Sequence, residues 1–172
     1  MSKLSLKILT LFVSFLFAAA YYFWQSSPAL ANSYPIEIAS LFSFSGKQPT
    51  NLGVKEGKLA ECPPSPNCVS SQSTDAIHKI APLTYNSQPE EAFSKLKEVI
   101  QSQENAKIVS ETKNYLYAQF TSKIMGFVDD VEFYLDKDAG VIQVRSASRL
   151  GESDLGVNRK RIEKIRSQLS MY

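Results

Sequence analysis

Two neighbouring aspartates, Asp129 and Asp130, are the side chains in this 172-residue chain that most resemble a catalytic carboxylate pair. Apolar and polar residues alternate around them, which predicts a β-strand, and neighbours on a strand point to opposite faces of its sheet. The two carboxylates therefore cannot act together on one substrate. The alternation places Asp129 on the apolar face, where a carboxylate needs hydrogen-bond donors to stay ionised.

Donors and further charges follow Asp129 in the sequence and define a candidate polar cluster. Its members are Asp129, Arg145, Ser146, Ser148, Arg149, Asp154, Asn158 and Arg159. One interpretation is a structural clamp that joins a hairpin to the following helix. The other is a small-anion site, because the free backbone N–H groups of a helix N-terminus attract negative charge. The clamp is favoured, since Asp154 and Glu152 would compete with an anion at that end.

An enzymatic alternative is a small hydrolase or transferase with a site built from Asp129, Arg149 and His78. The sequence shows no nucleophile elbow, phosphate-binding loop, zinc-binding helix or glycine-rich dinucleotide motif, which lowers the weight of this alternative. His78 lies between Ile77 and Ile80, and this setting favours a partly packed, hydrogen-bonded histidine over a catalytic base. The favoured interpretation assigns no catalytic residue and no cofactor.

The N-terminal region has the order of a secretory signal peptide. Two lysines precede an apolar run from Ile8 to Trp24, and small residues then lead to Ala31. We predict cleavage after Ala31, so that residues 1–31 are the signal peptide, 32–50 a tether or short packed segment, and 51–170 a single domain. The predicted destination is the periplasm, or the thylakoid lumen if the source is photosynthetic. An uncut anchor is the alternative, because the apolar run is near the lower length limit for spanning a bilayer.

Export changes the charge balance of the chain. The whole sequence has 19 basic and 17 acidic residues, and removal of Lys3 and Lys7 leaves 17 of each. A formally neutral chain lacks the excess positive charge that nucleic-acid binding requires. With nucleic acid disfavoured, the expected partner is an unknown protein or a small anion. Membrane contact is expected only if the signal segment stays uncut.

Cys62 and Cys68 stand six positions apart with three prolines between them. In an exported chain this pattern predicts a disulfide-closed loop. No metal site is predicted, because a zinc site normally needs four ligands and the chain has two cysteines and one histidine. A catalytic Cys68 with His78 as its base would need a free thiol, which an oxidising compartment disfavours.

Period-two alternation predicts consecutive strands in the second half of the chain. They cover residues 107–112, 115–122 and both sides of a turn at 137–140. A four-residue loop at that turn places Leu135 opposite Ile142, and the preceding loop places Leu116 opposite Phe133. Both registers put the apolar side chains on one face, which indicates an antiparallel meander.

The same registers place Asp129 between Phe120 and Ser148 on the apolar face. The reverse face then carries Tyr115, Tyr117, Gln119, Asp130, Glu132, Tyr134 and Arg145. We expect this mixed aromatic and polar face to be either solvated or available to a partner.

Two helices complete the predicted fold. Ser87 and Glu90 form a capping box with Pro89 in the first turn of one helix. The second helix runs from about Ser153 to Ser170, and an apolar stripe predicts the side that it buries. The stripe consists of Leu155, Ile162, Ile165 and Leu169. The fold class is α+β, with two layers: an antiparallel meander of about four strands and two helices on one face.

Several stretches resemble the domain of unknown function 1499 family over roughly Asn51 to Leu169. They are Leu52-Gly53-Val54, Cys62 to Ser71, Phe127 to Phe133 and Arg145 to Arg159. The resemblance implies a domain extent and offers no catalytic assignment. Glu152 stands where the family pattern has an aromatic residue, which argues against a binding role that would depend on that ring. The favoured function is therefore a non-catalytic exported domain that serves binding, assembly or envelope upkeep.

Overall fold

The computed structural model describes residues 44–170, so the predicted signal peptide and residues 32–43 lie outside the described residues. The elements, in chain order, are β1 (Cys68–Ser70), α1 (Pro89–Gln101), β2 (Ala106–Glu111), β3 (Tyr115–Thr121), β4 (Val128–Asp136), β5 (Val141–Ser148) and α2 (Val157–Leu169). Neither helix of this part of the chain is long and apolar enough to cross a membrane.

The strands form one five-stranded antiparallel sheet in the order β1-β5-β4-β3-β2. The α+β class and the β2 to β5 meander are confirmed. The prediction of about four strands omitted β1, which pairs with β5 at the edge of the sheet. β1 is three residues long, too short for period-two alternation to reveal it.

The predicted registers are confirmed at each pair that the sequence assigned. Leu135 lies opposite Ile142, and Leu116 lies opposite Phe133. Asp129 lies between Phe120 of β3 and Ser148 of β5. A slip of one residue would turn the apolar set to the other face, and this cost determines the register.

Both helices cover the apolar face of the sheet. Phe93, Leu96, Val99 and Ile100 of α1 are buried. Ile162, Ile165 and Leu169 of α2 are buried. These side chains share one core cluster with Leu116, Ala118, Phe120, Val131, Phe133, Ile142 and Val144 of the sheet. One continuous core therefore joins the two layers, as the predicted architecture requires.

The first helix begins without the predicted capping box. Gln88 is the N-cap residue and makes no side-chain cap, while the Ser87 hydroxyl donates to the Gln88 carbonyl. The Glu90 carboxylate pairs with Lys137 of the β4–β5 turn. Pro89 does lie in the first turn, where its missing N–H costs no hydrogen bond.

The second helix begins at Val157, four residues after the predicted start. The Asp154 carboxylate accepts hydrogen bonds from the backbone N–H groups of Gly156 and Asn158, which closes a tight turn before the helix. Leu155 has a positive φ and is 86% exposed, so its place in the predicted apolar stripe is wrong. The local turn outcompetes the helix at these positions.

The charged centre of the reverse face is buried, while Tyr115, Gln119 and Tyr134 of the same face are half-buried. Asp130, Glu132 and Arg145 are 1%, 0% and 4% exposed. A segment without regular secondary structure, residues 44–61, lies against this face. The Gly53 N–H donates to Glu132 over 2.8 Å, and residues 47, 49 and 51 line a cavity above Arg145. Residues 44–50, the described part of the predicted tether or short packed segment, contribute Lys47 and Pro49 to this cavity.

Candidate functional site

Asp129 and Asp130 point to opposite faces of β4, and each is bound to a different arginine. The predicted eight-residue cluster is therefore divided between the two faces. We call the group beneath the helices the helix-side cluster; it consists of Asp129, Ser146, Ser148, Asn158 and Arg161. We call the group on the reverse face the back-face cluster; it consists of Tyr115, Tyr117, Asp130, Glu132, Arg145 and Arg149.

Arg161 is the partner of Asp129, and the sequence analysis did not name it. Its Nη2 donates to Asp129 Oδ2, and its Nη1 donates to Ser146 Oγ over 3.0 Å and to Asn158 Oδ1 over 2.6 Å. The guanidinium carbon lies 4.8 Å from the centre of the Phe120 ring, within cation–π range. The three-residue spacing from Asn158 to Arg161 was a usable signal, because such residues are neighbours on a helix surface.

Asn158 connects three elements beneath the helix layer. Its Nδ2 donates to the Asn67 carbonyl and to Ser148 Oγ, each over 2.9 Å, and its Oδ1 accepts from the Ser146 hydroxyl over 2.6 Å. The same Asn67 carbonyl accepts from the Ser148 N–H. Helix α2, strand β5 and the Cys62–Cys68 loop are thereby joined. This geometry is that of a clamp, with its donors and acceptors already matched to each other.

Arg159 does not contact Asp129. Its Nη1 and Nη2 donate to the carbonyls of Lys79 and Ile77 over 2.8 and 3.0 Å. Arg166 bonds the carbonyls of Ala81 and Pro82 in the same way. These arginines attach residues 77–82 to α2, because residues seven positions apart lie on the same side of a helix. Arg159 and Arg161, two positions apart, point to different sides.

His78 is held at both ring nitrogens. Nδ1 lies 2.8 Å from Asp75 Oδ1, and Nε2 lies 3.1 Å from the Ser65 carbonyl inside the disulfide loop. The Ser73 hydroxyl, followed by the His78 backbone and ring, holds the pKa of Asp75 well below its usual range. Asp129 and Arg149 line different cavities, and His78 lines neither. The three residues of the hydrolase hypothesis are therefore not brought together.

The back-face cluster contains two buried ion pairs. In the first, Arg149 forms a bidentate contact with Asp130: its Nε and Nη2 donate hydrogen bonds to the carboxylate over 2.9 and 2.7 Å. The Tyr117 hydroxyl donates a third hydrogen bond to Asp130 over 2.6 Å. The Asp130 carboxylate raises the pKa of Arg149. Burial, and then the hydrogen bond to Asp130, raises the pKa of Tyr117.

The second pair joins Glu132 to Arg145 by a single contact. Glu132 Oε1 accepts from the Gly53 N–H and the Tyr115 hydroxyl, both over 2.8 Å, while Oε2 accepts from Arg145 Nη1 over 3.3 Å. Burial, and then the charge of Glu132, raises the pKa of Tyr115. The hydrogen bonds from Gly53 and Tyr115 to Glu132 are short, whereas the hydrogen bond from Arg145 to Glu132 is long.

Arg145 has donor capacity that the protein does not use. Its Nε is the one buried side-chain nitrogen or oxygen without a hydrogen-bond partner among residues 44–170. A guanidinium carries five N–H donors, and Nη1 alone bonds Glu132. The same side chain lines a cavity of about 350 Å³. Lys47, Pro49, Asn51, Glu61, Cys62, Pro63, Asp130, Ala147, Ser148 and Arg149 form the rest of its lining.

Cys62, one of the two cysteines of the chain, lines this cavity. Cys62 and Cys68 are joined as a disulfide, and Cys68 pairs with Ala147 between β1 and β5. Within the described part of the chain, no group of three or more His, Cys, Asp or Glu side chains is arranged to hold a metal ion.

Together, the fold and these clusters define an α+β domain whose sheet holds ion pairs on both faces, Asp129 with Arg161 beneath the helices and two pairs on the back face. Residues 58–169 match the family described as "protein of unknown function (DUF1499)", and the chain belongs to this family. The matched range contains all members of both clusters and begins within the segment that covers the back face. No curated protein matches the chain.

Proposed function

We propose that this protein is an exported, non-catalytic binding domain whose back-face cavity takes a small ligand that carries an oxyanion, such as a carboxylate or a phosphate. The observation that supports this proposal is Arg145. Its side chain is 5% exposed, has one hydrogen bond of 3.3 Å to a protein acceptor, and lines the cavity. A buried donor without an acceptor costs free energy, and an oxyanion in the cavity would supply the acceptor.

The charges around the cavity favour an anion over a cation. The Asp130 carboxylate is occupied by Arg149 and Tyr117, so its negative charge is already compensated. Arg145, which keeps donors beyond its contact with Glu132, and Lys47 both line the cavity, and a guanidinium can bind two oxygens of a carboxylate or phosphate at once. Glu61 at the rim opposes the anion and limits the affinity.

The arrangement supports binding more than acid–base catalysis. A general base needs a carboxylate or imidazole within reach of the substrate proton. Asp130 lines the cavity with both oxygens accepting from Arg149, and Glu132 has both oxygens accepting from protein donors. The hydrolase or transferase alternative, built on Asp129, Arg149 and His78, would require a rearrangement that brings two sides of the sheet together.

Export remains part of the proposal. It rests on the signal-peptide pattern of residues 1–31 and on the Cys62–Cys68 disulfide, which an oxidising compartment maintains. The compartment is the periplasm, or the thylakoid lumen of a photosynthetic source. N-terminal sequencing of the protein from its native compartment should begin at Asn32; a start at the initiator region would support the uncut anchor instead.

Calorimetric titration with inorganic phosphate and with malonate tests the ligand class. Arg145→Gln removes the guanidinium and should abolish binding. Lys47→Ala removes a cation at the rim and should weaken binding roughly threefold, as an exposed charge pair does. Lys58→Ala is the matched control, because Lys58 is an exposed lysine of the same segment that lines a different cavity.

Each outcome of this titration has a clear meaning. Binding that Lys47→Ala weakens and Lys58→Ala leaves unchanged supports the cavity, even if Arg145→Gln fails to fold. Equal effects of the two lysine variants, or binding that Arg145→Gln retains, would reject the site. The absence of any heat with either anion at millimolar concentration would reject the ligand class.

A further inference from the structure

Two loops present large apolar side chains to solvent at one end of the sheet. Ile124 in the β3–β4 loop is 93% exposed and Leu155 in the β5–α2 loop is 86% exposed. We call these loops the apolar tip. Its large apolar side chains are Ile124, Met125, Phe127, Leu150, Leu155 and Val157, all exposed.

The two loops are neighbours in space. The Arg149 N–H donates to the Val128 carbonyl over 3.1 Å, which joins the end of β5 to the start of β4. Phe127, Leu150 and Val157 line one shallow cavity of about 180 Å³ between the loops. Phe127, Leu150 and Val157 therefore share one surface, and Ile124 and Leu155 lie in the two loops that flank it.

We propose that the apolar tip inserts into the surface of a lipid bilayer. Exposed apolar side chains that cluster on a soluble domain mark an interaction surface. Ile124 and Leu155 are almost fully exposed, so neither side chain lies in a groove of the described protein. A bilayer interface accepts protruding apolar side chains of this kind without a complementary pocket.

The charges near the tip indicate insertion by apolar burial and not by attraction to anionic lipids. Lys123 is paired with Glu104, and the Asp154 carboxylate accepts from two backbone N–H groups of the same loop. Glu152 adds a negative charge, so the tip carries no net positive excess. Binding should therefore persist in zwitterionic lipid and at high salt.

The path of the chain also leads to this end of the molecule. Phe44, where the described residues begin, packs against Phe127 of the tip with 5.4 Å between ring centres. The apolar run from Ile8 to Trp24 lies upstream of Phe44 in the sequence. Phe44, the first of the described residues, therefore lies at the apolar tip.

A fluorescent label reports on the bilayer contact in the full chain. Both native cysteines are in the disulfide, so Ile124→Cys, Leu155→Cys and Asp138→Cys each introduce one reactive thiol. Asp138 is the matched control, since it lies in the turn at the opposite end of β4, about 30 Å away along the nine-residue strand. The chains are reconstituted in phosphatidylcholine vesicles that contain a headgroup-region nitroxide quencher.

We expect quenching at positions 124 and 155 to exceed that at 138 about threefold or more. Ile124→Glu should lower quenching of the label at 155, because the tip inserts as a unit. Equal quenching at all three positions would overturn the proposal. A label at 124 that is shielded from water but insensitive to the lipid quencher would also overturn it, by showing that a protein surface covers the tip.

Discussion

The two faces of the sheet at Asp129 and Asp130 differ in how completely their charged side chains are hydrogen-bonded within the protein. On the helix side, Asp129 and Arg161 belong to a network in which Ser146 and Asn158 supply matching partners. On the back face, Arg145 retains donors beside a cavity. A polar cluster with matched partners connects elements of the fold, whereas one with a spare buried donor has capacity for a ligand.

The faces also differ in what covers them. The helix side is covered by α1 and α2, whose apolar side chains join a continuous core. The back face is covered by residues 44–61, which contribute hydrogen bonds such as Gly53 to Glu132 but no regular secondary structure. No residue of this segment belongs to the hydrophobic core cluster, so the back face is the side on which we expect local opening at lower free energy.

Asp130→Ala should produce the largest change, a loss of about 3–5 kcal/mol in the free energy of unfolding. The reason is that Arg149, with a side chain 7% exposed, would keep its charge without a carboxylate. Urea denaturation followed by circular dichroism measures the loss. This expectation corrects the one that the sequence supports, in which a solvated Asp130 contributes little.

The Asp130→Ala/Arg149→Ala double variant is the control for that measurement. Because it also removes the stranded cation, its loss should be smaller than the sum of the two single losses. Strict additivity, or a loss under 1 kcal/mol for Asp130→Ala alone, would contradict the buried ion pair and remove the distinction between the faces.

Asp129→Ala should cost less, about 1.5–3 kcal/mol, the range for a hydrogen bond to a charged group. Arg161 would keep its hydrogen bonds to Ser146 and Asn158 and its position over the Phe120 ring. Urea denaturation compares the free energies of unfolding of the Asp129→Ala and Asp130→Ala variants. A larger loss for Asp129→Ala than for Asp130→Ala would reverse the ranking of the faces.

Removal of the disulfide by Cys62→Ala/Cys68→Ala should cost about 2 kcal/mol, because the open loop gains entropy in the unfolded chain. Cys62 lines the back-face cavity, so the change also loosens one wall of the proposed ligand site. Differential scanning calorimetry measures the stability. Alkylation provides the check on the parent protein, in which neither thiol should react until a reductant is added.

The smallest expected effect is a change in pH dependence that is confined to the back face. The pKa values of Tyr115 and Tyr117 are raised above the ordinary value of about 10, first by burial. Unfolded tyrosines release their protons near that pH while the folded ones retain them. Stability from this source is therefore complete below pH 10 and is lost as the pH rises further.

Urea midpoints between pH 8 and pH 11 measure this slope. Tyr115→Phe/Tyr117→Phe should make the fall in stability above about pH 10 shallower. Asp129→Ala serves as the comparison from the helix side and should keep the slope of the parent. An unchanged slope in the double tyrosine variant would mean that water reaches both hydroxyl groups.

Local sequence patterns determined the sheet and its orientation. The alternation around Asp129, together with the turn before Val141, was sufficient to assign the pairing of Leu135 with Ile142, since a shifted register would bury charges and expose apolar side chains. The same two-residue alternation places the side chains of Asp129 and Asp130 on opposite faces of the sheet. The cysteine spacing was likewise enough to predict the disulfide.

The tertiary structure alone decided which arginine meets which carboxylate. Arg149 follows the last residue of β5, where no period defines the direction of a side chain, and it turns to Asp130 and not to Asp129. Arg161 lies beside the buried Ile162 and faces the sheet, whereas Arg159 points to the carbonyls of residues 77 and 79.

The burial of the back face was also beyond the sequence. Residues 44–61 contain the three glycines, one proline and three lysines of a surface connection, yet they cover Glu132 and line part of the cavity beside Arg145. The contact between Gly53 and Glu132 joins positions 79 residues apart. Periodicity and turn residues encode what each segment does locally, but the environment of a charge depends on which distant segment finally lies over it.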